Sequence, residues 1–368
     1  MSALLRLRDI AGLIESVAPT PLQESYDNSG IQLGNPDDKI NGALICIDIT
    51  EDVIDEAITL GVNLVISHHP LIFSGLKKIS DTDATGRILR KAIKYDISIY
   101  SAHTNIDSIA GGVSSKLADK LGITQQKILQ SRKDKLCKLV TFVPHAQADE
   151  VRQALFDAGA GNIGNYDSCS YNLAGHGSFR GGKDTNPFAG EKGVIHFEPE
   201  TRIETIFPDY LEGRVISALL KTHPYEEVAY DIYPLKNKWD RVGFGVVGVL
   251  PEKMPTEKFL LYLKDVCKAG AIRHTAIICD EIHKVALCGG NGSFLIKDAI
   301  MAGVDIFISS DFKYHQFFES ENKIIIADIG HYESEQFTKE VFCEILTKKF
   351  PNFALHLSQV NSNPIKYL

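Results

Sequence analysis

Two segments near opposite ends of the chain, AITLGVNLVISHHP (57–70) and AIMAGVDIFISSDF (299–312), align without a gap. Each reads as a helix end, a glycine, an acidic or amide residue, a buried strand and a serine. Upstream, ALIC (43–46) and VALC (285–288) fall at the same offset, and downstream ISIYSAHTNID (97–107) resembles IIIADIGHYESE (324–335). Three matched blocks in the same order indicate an internal duplication, and self-similarity constrains a fold more than any single motif. Buried strands alternating with helical patterns predict βα units around a mostly parallel sheet. The expectation is an α/β protein whose two pseudo-symmetric halves form one core.

The stretch between the copies does not follow the repeat. It begins after LGITQQKILQSRKDK, which is polar and charged as a linker would be. Strand (LCKLVTFV), helix (ADEVRQALFDAGAG) and strand (YDSCSYN) patterns follow. Then come a strand (TRIETIFP), a helix (LEGRVISALLKT) and a last strand (VAYDIYP). The order βαββαβ is that of the ferredoxin-like split unit. Three regions are therefore expected: 1–126 as the first half of the core, 127–239 as an inserted α+β domain, and 240–368 as the second half. Trp239, the single tryptophan, is expected to pack the hinge where the insert rejoins the core.

Bulk composition narrows the function. A net charge of −8 provides no basic stripe for coating a nucleic acid. No apolar run approaches the roughly 20 residues that span a bilayer. The N-terminal MSALLRLRDIAGLIESVAP carries Arg6, Arg8, Asp9 and Glu15 among its leucines, so it reads as an amphipathic helix and not as a secretory signal. Seven scattered cysteines, odd in number and without a C-x-x-C pair, fit free thiols in a reducing cytoplasm.

The polar residues at the strand ends carry the chemistry. His68 and His69 close an apolar run at Pro70, which lacks an N–H and holds its predecessor extended, so both rings stand at the C-terminal mouth of a strand. In open α/β sheets ligands bind at that mouth. His103 with Asp107, and His331 with Glu335, follow the next strand of each copy at i, i+4, on one face of any helical segment. Imidazoles and carboxylates together make the usual ligand set for a hydrolytic Zn²⁺, Fe²⁺ or Mn²⁺. His68, His69, Asp107, His331 and Glu335 exceed the needs of one open site. Two divalent ions about 3.5–4 Å apart, bridged by a carboxylate, would use all five. His103 is either a ligand by repeat symmetry or a group that holds Asp107.

Here the chain resembles the GTP cyclohydrolase 1 type 2 family, proteins related to the yeast "interacting factor three". The landmarks are SYDNSGIQLG (25–34), LVISHHPLIFSGLKKI (64–79), SAHTNIDSIAGGVSSKLADKLG (101–122), GVDIFISSDFKYHQ (303–316) and DIGHYESEQF (328–337). The resemblance implies a dinuclear metal centre on those five residues, with Glu335 bridging, each adjacent histidine on a different ion, and His103 outside the ligand set. It also implies that the insert, through HPYEEVAYDIYPL (223–235), is similar to the PII and CutA proteins, and that the chain assembles as a homohexamer. One departure stands at Tyr26-Asp27-Asn28, where the family often has Trp-Asp-Asn; pocket shape is the property this touches.

Three weaker signals remain. CGGNGS (288–293) could cradle a phosphate or simply form a tight turn, and it lacks the GK[ST] of a P-loop. Asp311, Lys313 and His315 fall in the repeat counterpart of the His-His segment. There His315 is a candidate proton donor, with Asp311 as a helix cap the plainer alternative. His223, Glu226 and Glu227 at a helix-to-strand turn are solvated polar residues, oligomer contacts or a metal or ligand cluster. The expected function is a metal-dependent hydrolase of GTP cyclohydrolase type acting on a small molecule or nucleotide. The alternatives are a non-catalytic metal or small-molecule scaffold and a transcription-related adaptor.

Overall fold

The computed structural model describes residues 5–368, and the first four residues of the expected N-terminal helix lie outside it. The chain has a mixed α/β fold with several sheets and eleven α-helices among the described residues. It divides into two compact units, one made of residues 1–130 and 242–368 and the other of residues 131–241. No helix among the described residues is long and apolar enough to cross a membrane.

The first unit carries two large sheets. One orders its strands Ala354–Leu357, Gly42–Cys46, Leu64–Ser67, Ser98–Ser101 and Gly30–Leu33. The first four run parallel and the last is antiparallel. The other has Glu281–Asn291, Ile306–Ser310 and Ile325–Asp328 as its parallel centre, with antiparallel strands on both sides. Gly42–Cys46, Leu64–Ser67 and Ser98–Ser101 are buried along their whole length, as are Ile306–Ser310 and Ile325–Asp328. This is why their sequences are continuous apolar runs: helices cover both faces of a parallel sheet, so there is no solvent side to alternate with. Ile45, Val65 and Ile66 are fully buried, each stabilising the fold by roughly 1.5–3 kcal/mol.

The amphipathic N-terminal helix forms over Leu7–Val17 and buries Leu7, Ile10, Ala11 and Ile14, the spacing of one helical face. Thr50 caps Glu51–Leu60 by accepting from the Val53 N–H, and Asp83 caps Ala84–Lys94 through the Gly86 N–H. Both helices bury apolar residues in the cluster around Val65 and Ile99.

The stretch read as a linker is instead a strand over much of its length. Thr124–Arg132 is the edge of the second sheet beside Trp239–Pro255. An edge strand needs few apolar residues, and Leu129 alone packs against the cluster around Phe307. Its polar composition reflects that position.

Residues 131–241 form a four-stranded antiparallel sheet in the order Tyr230–Leu235, Leu136–Pro144, His196–Pro208, Ser170–Phe179. Helices Ala148–Asp157 and Glu212–Thr222 cover one face, packing on Leu139, Val143, Ile203 and Phe207. Trp239 stacks on Tyr210 with ring centroids 6.3 Å apart.

Candidate metal centre

The parallel strands of both sheets in the first unit end in the side chains singled out above. The Leu64–Ser67 ladder runs on past its last strand residue: His68 donates its N–H to the Cys46 carbonyl and His69 to that of Ile47. Asp107 follows Ser98–Ser101 on the short helix Thr104–Asp107. His331 and Glu335 start and end the helix His331–Glu335, beyond Ile325–Asp328. On that helix the i, i+4 spacing brings His331 Nε2 within 3.0 Å of Glu335 Oε2.

The five residues meet. Glu335 Oε2 lies 3.0 Å from His69 Nε2 and 3.6 Å from His68 Nε2, while Asp107 Oδ1 is 3.7 Å from His68 Nε2. His331 Nε2 is 3.3 Å from His69 Nε2. Two groups of ligand atoms are compact enough to hold a cation, His69–His331–Glu335 and His68–Asp107–Glu335, and Glu335 belongs to both. A third compact group, His68–His69–His103, brings in the remaining imidazole.

The far nitrogen of each ring is anchored. His68 Nδ1 is 3.1 Å from the Ala102 carbonyl, and His69 Nδ1 is 2.7 Å from Asp48 Oδ1. His331 Nδ1 is 2.6 Å from Asp311 Oδ2, and His103 Nδ1 is 2.9 Å from Asp27 Oδ1. An imidazole that donates from Nδ1 to an oxygen keeps a lone pair on Nε2, the arrangement a metal-binding histidine needs. Asp27 is itself held by the Thr104 N–H and hydroxyl.

Acceptors therefore face acceptors in the middle. His68 Nε2 and Asp107 Oδ1 are buried without a hydrogen-bond partner, and so is Glu335 Oε2 when His69 and His331 carry their protons on Nδ1 alone. Burying such groups unpaired is costly, and a divalent cation would satisfy all three at once. The backbone makes room as well. Gly290 sits at φ +62°, and a Cβ there would overlap Glu335 Oε1. The donor set, its anchoring and this cradle fit a metal.

The electrostatics agree. Burial pulls His68 down to about 4, so it is neutral near pH 7. For His69 and His331 burial also pulls down, but Asp48 with Glu335, and Asp311 with Glu335, push them up to about 10 and about 11. Burial and Glu335 hold Asp107 well above the usual carboxylate range. Burial acts to raise Glu335, yet His68 and His331 hold it well below that range. In short, the cluster recruits protons to balance carboxylates that a metal ion would otherwise balance. Burial also raises the nearby Cys288 thiol to about 12, and its sulfur belongs to none of the compact ligand groups.

The site has a closed and an open side. His68 is 0 % exposed and Glu335 3 %, whereas the His331 side chain is 36 % exposed. At the open side Phe73, 50 % exposed, lies 6.3 Å from His103 and 6.2 Å from the exposed Tyr26, centroid to centroid.

Asp48 was not anticipated from the sequence, and neither was the role of Gly290. The two are equivalent by the offset that aligns Cys46 with Cys288. Asp311 does reach the site, as the partner of His331 and not as a helix cap. His315 is exposed, outside the compact groups, and packs on the rings of Tyr314 and Phe318. The CGGNGS amides are occupied internally: Gly289, Gly290 and Gly292 donate to the hydroxyls of Ser114, Ser334 and Ser309. Both His223 nitrogens are used too, one beside the Phe142 carbonyl and the other accepting from the Tyr225 N–H.

A model of the DUF34/NIF3 (NGG1p interacting factor 3) family matches residues 5–364. The chain belongs to this family. A Halalkalibacterium halodurans protein named "GTP cyclohydrolase 1 type 2 homolog" is 39% identical over 361 residues, covering 97% of both chains. A Bacillus subtilis protein of the same name is 37% identical over 98% of both. The crystal structure of a Bacillus cereus protein related to NIF3 superposes over 100% of both chains at 38% identity with a TM-score of 0.84. DUF34/NIF3 membership thus covers both units of the chain.

Proposed function

We propose that this DUF34/NIF3 protein is a hydrolase that works with two divalent metal ions on a nucleotide, opening a purine ring in the manner of a GTP cyclohydrolase. The observation that carries the reading is Glu335, shared by two otherwise separate ligand groups. His68 with Asp107 would hold one ion and His69 with His331 the other, with Glu335 common to both. Such ions supply Lewis acidity and an acidified water.

The chain's own residues do the rest. Asp48 and Asp311 fix the imidazoles that face the open side, and the closed wall of His68 and Glu335 keeps bulk water off the other. Asp27 holds the Nδ1 side of His103, whose ring stands against those of His68 and His69. Phe73 and Tyr26 present aromatic faces beside it, a ledge suited to a flat heterocycle. The nucleotide is taken from the relatives' name, and the ledge supports it. His315 enters no step of this scheme.

The same reading takes the first unit as a duplicated core into which the region expected at 127–239, found as the unit of residues 131–241, is inserted as a ferredoxin-like domain. The matching orders of the two parallel strand triplets support the duplication. It places the chain in the cytoplasm, where its seven free cysteines stay reduced, and assembles it as a homohexamer, which light scattering after size exclusion tests.

The deciding experiment is GTP turnover by protein loaded separately with Zn²⁺, Mn²⁺ and Fe²⁺, beside Glu335→Ala, with metal content determined for each. Metal-dependent ring opening that disappears in the variant establishes the function. Two ions per chain with GTP untouched would leave the centre standing and remove the substrate.

A further inference from the structure

Beyond the strand Ala354–Leu357, residues 358–368 pass the metal centre without regular secondary structure, yet their path is held at several points. The Ser358 N–H donates to the Ile45 carbonyl at 2.8 Å, and its hydroxyl donates to the Glu56 carboxylate. The Gln359 N–H donates to that carboxylate as well, at 2.9 Å. Two asparagines then set the turns: Asn361 Oδ1 accepts from the Asn363 N–H and Asn363 Oδ1 from the Ile365 N–H, both at 3.0 Å. Asparagine fixes a turn in this way without needing a helix or a sheet. At the far end Tyr367 packs on Gly270, where a Cβ would overlap its ring.

Between these anchors, two adjacent residues reach separate parts of the centre. The Ser362 hydroxyl donates to Asp48 Oδ2 at 2.6 Å, and the other oxygen of that carboxylate is the atom 2.7 Å from His69 Nδ1. Asn363 Nδ2 donates to Glu333 Oε1 at 2.9 Å. Glu333 is 5 % exposed and lies on the helix that begins at His331 and ends at Glu335. Among the described residues Asn363 supplies the one hydrogen-bond donor to this buried carboxylate, so the carboxylate's position depends on it. Both contacts bear on a single compact ligand group, because Asp48 holds His69 and the Glu333 helix carries His331 and Glu335. His68, in the other group, is anchored on the Ala102 carbonyl.

We propose that residues 358–368 form a positioning strap that sets the affinity of the His69–His331–Glu335 group for its ion, with Ser362 and Asn363 as the positioning residues. The inference rests on the reading of two ions that share Glu335. A carboxylate held through one oxygen turns readily about its terminal bond, and the ring it orients turns with it. Ser362 occupies the second oxygen of Asp48 and removes that freedom. Asn363 pins the helix of His331 and Glu335 through Glu333, so neighbouring residues of one segment tie together two elements that bear ligands. Fixing ligands beforehand raises affinity by reducing the ordering that binding itself must accomplish.

The test is competition for Zn²⁺ between a chromophoric chelator and the full-length protein, resolving both binding steps, with cooperative melting of each metal-free variant checked alongside. Ser362→Ala should weaken one step by about three- to tenfold and leave the other within about twofold. The weakened step should be the one that Asp48→Asn weakens. Added to Asp48→Asn, Ser362→Ala should have no further effect, because it acts through Asp48. Ser362→Thr keeps the hydroxyl and should bind as the wild type does. Asn363→Ala should weaken that same step more than the other, which it reaches only through the shared Glu335. Gly270→Ala displaces Tyr367 without touching either positioning residue, and it should weaken the same step by less. A merely structural strap would lower melting and weaken both steps alike or neither. The proposal falls on that outcome, on effects of Ser362→Ala and Asp48→Asn that simply add, or on a failure of Ser362→Thr to restore binding. A wild type that binds a single ion removes the two-ion reading and the selectivity with it. Two ions bound as tightly by Ser362→Ala as by the wild type remove the strap alone.

Discussion

The two strand mouths that align in sequence have been put to different uses. At 67–69 the chain reads Ser-His-His, and both imidazoles turn into the cluster. At 309–311 it reads Ser-Ser-Asp. There the Ser309 and Ser310 hydroxyls both donate to the Gly290 carbonyl, at 2.9 and 2.6 Å, while Asp311 orients His331 from the following helix. One mouth supplies candidate ligands; the other supplies the scaffold that positions candidate ligands arising elsewhere. The same division recurs one strand over, where Asp48 holds His69 and its aligned counterpart Gly290 clears space for Glu335. Similar backbones thus carry unlike chemistry, because a site is decided by a few side chains and not by the fold beneath them.

If Glu335 is where the two mouths meet, its loss should have the largest effect. Glu335→Gln is expected to lower metal affinity by more than the roughly 10–100-fold typical of losing an orienting partner, since it removes a ligand common to both groups. Chelator competition with Zn²⁺ measures this. Wild-type melting should also rise with added metal, by about 2.7 kcal/mol at a hundredfold excess over Kd, and the variant's should not. Equal metal content in variant and wild type would sink the shared-ligand reading.

Gly290→Ala comes next. It forces a side chain into left-handed backbone, at about 1–2 kcal/mol, and pushes on the Glu335 carboxylate. A fall in both melting temperature and metal affinity is expected. A variant destabilised but binding metal normally would reduce Gly290 to a turn residue.

Asp48→Asn and Asp311→Asn then compare the two aligned segments directly. Each should lower metal affinity by about 10–100-fold through a misoriented ring, His69 in one case and His331 in the other. Similar losses would mean that the two segments contribute equally. If Asp311→Asn has no effect, the second mouth is merely structural. The smallest effect is expected from Ser310→Ala, about 1 kcal/mol in chemical denaturation with metal binding retained, because Ser309 still donates to the Gly290 carbonyl. Loss of metal there would show that the scaffold hydroxyls are coupled to the centre more tightly than the hydrogen bonds indicate.

Much of the centre was legible in the sequence because its residues sit at recognisable punctuation. His68 and His69 end an apolar run at a proline, and His331 and Glu335 are spaced for one helical face. Asp107 follows the matching strand. Asp48 gave no such signal: an aspartate shortly after a strand is ordinary, and only the packing of one strand end beside the next sets it 2.7 Å from His69. Thr124–Arg132 was misread for the converse reason. Edge strands can be polar, so composition alone does not separate them from linkers.

The sequence by itself determined the local order: which runs are buried strands, where they stop, and which side chains stand at their ends. These follow from hydrophobic periodicity, proline and helical spacing, all properties of near neighbours in the chain. Tertiary structure alone decided that strand ends far apart in sequence share one small volume. It also set which nitrogen of each ring points inward and which glycine leaves room for a carboxylate. Those features depend on atoms from separate elements meeting within a few ångströms, a relation that local patterning does not encode.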